Sequence, residues 1–114
     1  MIIKAFRMRV HPAHIAEYER RHNPIWPELE AVLRAHGVSR YFIFLDDETG
    51  DLFAYAEIAS EAQWKAIAAT DVCQRWWRSM QALMPSHPDG SPESRPLRDV
   101  FRLESSGVDA PPAR

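Results

Sequence analysis

Cysteine is almost missing from this chain. Cys73 is the single one among 114 residues, so no disulfide can form within it. That favours a reducing compartment, and a cytoplasmic protein is expected. Glycine occurs only four times, never in the clustered spacing of a phosphate loop or a dinucleotide fingerprint. No Ser-His-Asp signature is present either. Charge of neither sign dominates. The formal net charge is −2, with acidic and basic residues interspersed, which speaks against a nucleic-acid groove or a polybasic membrane patch. Long apolar runs are absent as well. The longest, Tyr41 to Leu45, is far too short to span a bilayer. Lys4, Arg7 and Arg9 interrupt the N-terminal apolar residues, so no signal-peptide core is expected.

What is present is enough for one core. Hydrophobic residues make up 46% of the chain, the composition of a folded single domain. We expect that domain over 1–104 and a loose tail over 105–114, where apolar pattern is lost and paired prolines appear.

Hydrophobic spacing predicts a strand over 2–10, where Phe6, Met8 and Val10 alternate with Arg7 and Arg9. Pro12 suits a first helical turn, and a short amphipathic stretch through Ile15 and Tyr18 runs to His22. Pro24 closes it. Pro27 opens a second helix carrying Leu29, Val32 and Leu33, and Gly37 stops that one. Strands follow over 39–45 and 52–58, joined by a polar turn as a hairpin. Ser60 with Gln63 reads as a capping box. Asp71 with Gln74 reads as a second, opening a helix through Val72, Trp76, Met80 and Leu83 that Pro85 ends. A proline-rich loop leads to a last strand expected over 97–103.

Strand, broken helix, strand, strand, broken helix, strand is the order of a ferredoxin-like α+β fold. Four antiparallel strands with helices on one face leave the other face bare. The strand over 39–45 is apolar on both faces, so a second copy packed on the bare face is expected.

Chemistry concentrates at a break in the helical pattern. Proline is excluded from helix interiors and pushes its predecessor out of helical geometry. Pro24 and Pro27 therefore force His22 to a helix end, with Tyr18 one turn earlier on the same face. His22 is either a helix-capping histidine or a general acid–base near neutral pH. Trp76 and Trp77 point roughly 100° apart on a helix. One can pack inward while the other faces a cleft, where an indole offers a platform for the C–H face of a sugar. Tyr18 and Tyr41 are core residues or hydroxyl donors. Tyr41 would join the same space only if it pointed to the helix-free face. His11 and His14 lack a matched second pair for a metal. Cys73, near a helix start, reads as packing rather than a nucleophile.

Two segments resemble a known family. Arg21-His22-Asn23-Pro24-Ile25-Trp26-Pro27-Glu28-Leu29 and Thr70-Asp71-Val72-Cys73-Gln74-Arg75-Trp76-Trp77 are similar to the signatures of L-rhamnose mutarotases. Met84-Pro85, the loop around Pro88-Asp89 and Ser91-Pro92, and Val100-Phe101 fit too. Gly90, and His87 in place of asparagine, depart from the pattern. The resemblance implies a homodimeric α+β barrel of ferredoxin-like subunits. It also implies interconversion of the anomers of L-rhamnose without metal or cofactor. His22 then matches the catalytic proton donor, and Tyr18, Tyr41, Trp76 and Trp77 match the residues that hold the sugar. Ring opening of a hemiacetal needs only an acid and a base. The carrier of the second proton stays open between Tyr18, a carboxylate and water. Two other activities fit the same architecture: a cofactor-free or haem-handling oxygenase, and a non-catalytic sugar-binding module.

Overall fold

Alternation builds the sheet. In the computed structural model, which describes residues 1–104, β1 (Ile2–Arg9), β2 (Val38–Leu45), β3 (Asp51–Ile58) and the two-residue β4 (Arg95–Pro96) form one antiparallel sheet in the order β2-β3-β1-β4. Ala5 lies opposite Tyr55, and Tyr55 opposite Phe42, so residues of one parity share a face across three strands. The expected strand–helix order and ferredoxin-like α+β fold are what the chain adopts. At the hairpin, Gly50 has φ +82°, and a Cβ there would come within 2.4 Å of the Val10 carbonyl oxygen. The turn closes because that position has no side chain.

Four α-helices cover one face: α1 (Ile15–Arg21), α2 (Pro27–Ala35), α3 (Glu61–Ile67) and α4 (Asp71–Met80). A 3₁₀ turn over Pro12–His14 leads into α1. Met8, Leu52, Ala54, Ala56 and Ile58 of the sheet are buried beneath Tyr18, Leu29, Ile67, Trp76 and Met80 of the helices. Each large side chain so buried contributes roughly 1.5–3 kcal/mol. Ser60 caps α3 by accepting from the Gln63 amide at 3.1 Å. The second cap differs from expectation. Thr70, not Asp71, accepts the Cys73 amide at 3.3 Å, which leaves Asp71 in the first turn, where its charge opposes the helix dipole. The helix also stops at Met80, and Leu83 and Met84 are buried in the turns beyond it.

The last strand is the larger correction. Pairing along β1 ends with Arg95–Pro96 and one further bond, from the Leu97 amide to the Ala5 carbonyl at 2.9 Å. Beyond it, 98–103 form no strand, and Val100, Phe101 and Leu103 are each more than three-quarters exposed. The alternating pattern there finds no further edge among the described residues. The expected tail over 105–114 lies outside the described residues. None of the described residues covers the sheet's other face: Phe42, Phe44 and Phe53 are exposed on it, beside Tyr55 and Arg40. No helix among the described residues is long and apolar enough to cross a membrane.

Candidate active site

The site begins where α1 ends. His22 is the residue that closes this helix. Its amide donates to the Glu19 carbonyl at 3.2 Å, and its ring Nδ1 bonds the Tyr18 carbonyl at 2.8 Å. Asn23 Nδ2 donates to the Glu19 carbonyl at 2.9 Å. Pro24 prevents continuation, and Pro27 at the first position of α2 restarts the chain in a new direction. Trp26 sits between the two helices.

Aromatic contacts fix the imidazole. The Tyr18 ring lies 4.3 Å from it between centroids, and Trp76 of α4 meets it edge-to-face at 5.1 Å. Trp26 also meets Trp76 edge-to-face, at 5.1 Å and 84°. The Arg75 guanidinium lies 5.8 Å over Trp26 and reaches Asp71 and Glu28. Such ring pairs add about 0.5–1.5 kcal/mol each beyond their area.

This geometry sets the protonation of His22. A carbonyl oxygen only accepts, so Nδ1 carries the proton. In the neutral ring, Nε2 holds the lone pair, and it has no hydrogen-bond partner among the described residues. Burial pushes the His22 pKa below its ordinary 6.5, opposed in part by the bond to the Tyr18 carbonyl. The imidazole is therefore neutral at pH 7, with one nitrogen committed and one available.

A crevice of about 1150 Å³ runs between the helices and the sheet. His22, Tyr18, Tyr41, Trp76 and Trp77 all line it. The condition set for Tyr41 does not hold: it joins the other residues without pointing to the helix-free face, because it pairs with Ala56, whose side is covered by helices, and the crevice lies on that side. The Tyr18 and Tyr41 hydroxyls are electrostatic neighbours and bond no group among the described residues. Among the described residues no fully enclosed side-chain polar atom lacks a partner, so both hydroxyls are open to the crevice that their residues line. Burial raises both pKa values, which keeps them protonated donors at every physiological pH. Trp76 is buried, whereas Trp77 is half-buried beside both core clusters.

Trp64 and Phe6 went unassigned in the sequence, yet both line this crevice. Trp64 lies 6.0 Å from Tyr41 and 6.1 Å from Phe6. The phase of β1 was the available signal, since Phe6 shares a face with buried Met8. Cys73 is buried at the start of α4, and its thiol is pushed up to about 11, so it stays protonated. His11 and His14 are exposed, with ring centroids 6.2 Å apart. Among the described residues no three His, Cys, Asp or Glu side chains converge as metal ligands do.

The model of the L-rhamnose mutarotase family matches residues 4–103. The chain belongs to the L-rhamnose mutarotase family. The L-rhamnose mutarotase of Klebsiella pneumoniae (strain 342) is 60% identical over 103 residues, spanning 90% of this chain and 99% of that protein. The crystal structure of an L-rhamnose mutarotase from Formosa agariphila superposes with a TM-score of 0.83 at 36% identity, covering 91% of this chain and all of that one. An antibiotic biosynthesis monooxygenase superposes with a TM-score of 0.59 at 16% identity, covering 88% of this chain and 100% of that one. At that identity the likeness is one of fold alone, so the oxygenase alternative draws no support from it. In this mutarotase-family chain, both segments that carried the resemblance border the crevice.

Proposed function

We propose that the protein interconverts the α and β anomers of L-rhamnose, an isomerase reaction, with His22 moving the proton. The observation that carries this is the committed Nδ1. With that atom held by the Tyr18 carbonyl at 2.8 Å, Nε2 is the free basic atom of a neutral imidazole at the crevice.

Opening the ring breaks the bond between the anomeric carbon and the ring oxygen. The anomeric hydroxyl loses a proton and becomes the carbonyl of the open chain. The ring oxygen gains a proton and becomes a hydroxyl. Rotation about one carbon–carbon bond and closure on the other face reverse both transfers. The two oxygens are bonded to the same carbon, so one nitrogen can serve both in turn. Nε2 takes the proton from the first and returns it to the second, and the imidazole ends as it began. General acid–base help of this kind is worth about 10²–10⁴ in rate. The chemistry asks for no metal and no cofactor. Tyr18 and Tyr41, held protonated, supply hydrogen bonds to whichever oxygen carries negative charge. Trp76 and Trp77 supply apolar walls, which hold the sugar while leaving the anomeric carbon free to turn.

Saturation-transfer NMR on the anomeric protons of L-rhamnose tests the activity. Added protein is expected to raise the exchange rate in proportion to its concentration. Sugar binding without faster exchange would leave a binding module and sink the mutarotase assignment.

We also infer that the working form is a homodimer in which a second copy covers the bare sheet face. Exposed Phe42, Phe44 and Phe53 on one face, with exposed Val100, Phe101 and Leu103 following the edge strand, support this. Sedimentation at micromolar protein is expected to give a dimer, and Phe44→Lys a monomer. A wild-type monomer would contradict it. A single, buried, unpaired cysteine supports a cytoplasmic location.

A further inference from the structure

Arg21 is the residue immediately before His22, and it reaches a different helix. Its Nε donates to Glu17 Oε2 at 2.5 Å within α1, and its Nη1 donates to the Ser79 carbonyl in the last turn of α4. Glu17 is held in place from the other side by Arg20, at 2.9 and 2.5 Å, and these two guanidiniums keep its carboxyl down at about 2. Ser79 in turn donates its hydroxyl to the Trp76 carbonyl at 2.7 Å. The half-buried guanidinium thus fastens the end of α1, where His22 sits, to the end of α4, one turn beyond Trp76. A cation there also faces the negative ends of both helix dipoles.

We propose that Arg21 is a positioning residue for the proton transfer: its clasp between Glu17 and the Ser79 carbonyl holds the His22 imidazole in register with Trp76 and the crevice. The planar fork is what permits two separate anchors, and a lysine offers only one point charge. This rests on the activity proposed above. Among the described residues, the edge-to-face contact with Trp76 is the ring contact that joins His22 to α4, and its ring hydrogen bond lies within its own helix. Tyr18 is the titratable group packed on the imidazole from α1, and Trp76, from α4, does not titrate. No charged side chain contributes to the shift of the imidazole.

The test compares Arg21→Met, Arg21→Lys and Glu17→Gln with wild type. Three quantities are read: kcat and KM for anomer exchange, and the titration of the His22 imidazole by NMR. In Arg21→Met, kcat is expected to fall about ten- to a hundredfold, the scale of a reacting group displaced by about 1 Å, with KM changed far less. Arg21→Lys recovers part of the loss, and Glu17→Gln falls between. The His22 titration moves up toward its ordinary value as water reaches the ring. A lower melting temperature with unchanged kcat and unchanged titration would make Arg21 a structural strap only, and overturn the proposal. A raised KM with unchanged kcat would overturn it in favour of substrate contact. If Arg21→Met does not fold, the lysine and glutamine variants carry the same comparison. If wild type fails to speed exchange, the activity falls, but the His22 titration still decides the clasp.

Discussion

Replacing His22 with glutamine leaves anomer exchange slower by about 10²–10⁴, close to the rate without protein. Glutamine approximates the imidazole in size and keeps a donor for the Tyr18 carbonyl, but it has no basic atom at the position of Nε2. Circular dichroism is expected to stay unchanged, which separates lost chemistry from lost fold. Wild-type exchange rates against pH carry the same point. Burial lowers the His22 pKa, so the neutral, proton-accepting form persists below pH 6.5. The rate should hold level as pH falls past 6.5 and decline only as pH approaches the lowered pKa of His22. A rate that rises as the solution is acidified would mean that the imidazolium is the resting form, and would end the order of transfers given above. Full activity in His22→Gln would remove His22 from the chemistry altogether.

The tryptophan pair should separate just as sharply. Trp76 is 8% exposed and wedged between His22 and Trp26. Trp76→Ala removes a buried ring with contacts on both sides, at an expected cost of about 3–5 kcal/mol. Urea unfolding at one fixed protein concentration reads this directly. Trp77, half-buried on the crevice wall, should cost less stability, and Trp77→Ala should weaken sugar binding instead. Equal stability losses in the two variants would mean that both are plain packing. A Trp76→Ala protein as stable as wild type would show that the aromatic stack does not hold the imidazole.

The helix break was legible in the sequence because proline acts locally. Pro24 stops a helix and Pro27 fits only a helix's first turn, whatever surrounds them, so His22 had to sit at an end. Strand phase was legible for β1, where charge alternates with apolar residues. It was not legible for β2, whose residues are apolar on both sides, and this is why the face of Tyr41 stayed open and the wrong face was made the condition for its joining the site. Only pairing with Ala56 settles it. The strand expected over 97–103 failed for another reason. Alternation reports a preference for an extended, half-covered environment, and the described chain offers no edge beyond Leu97. Trp64 was overlooked because its spacing fits core and crevice equally. The Arg21 clasp was out of reach, since it depends on a backbone carbonyl 58 residues away.

Capping and catalysis stood as rival explanations of His22 when only the sequence was in view. The bond from Nδ1 to the Tyr18 carbonyl makes them one interaction: the contact that finishes the helix also chooses the tautomer. Working residues are often strained, and removing them often yields a sturdier, inactive protein. Position 22 is built the other way. Its side chain completes local structure by the same atom that prepares it for chemistry, so most replacements there harm both at once. Few replacements, glutamine with its donor among them, leave a folded but idle protein, so a lineage that loses the activity is expected to lose it elsewhere first.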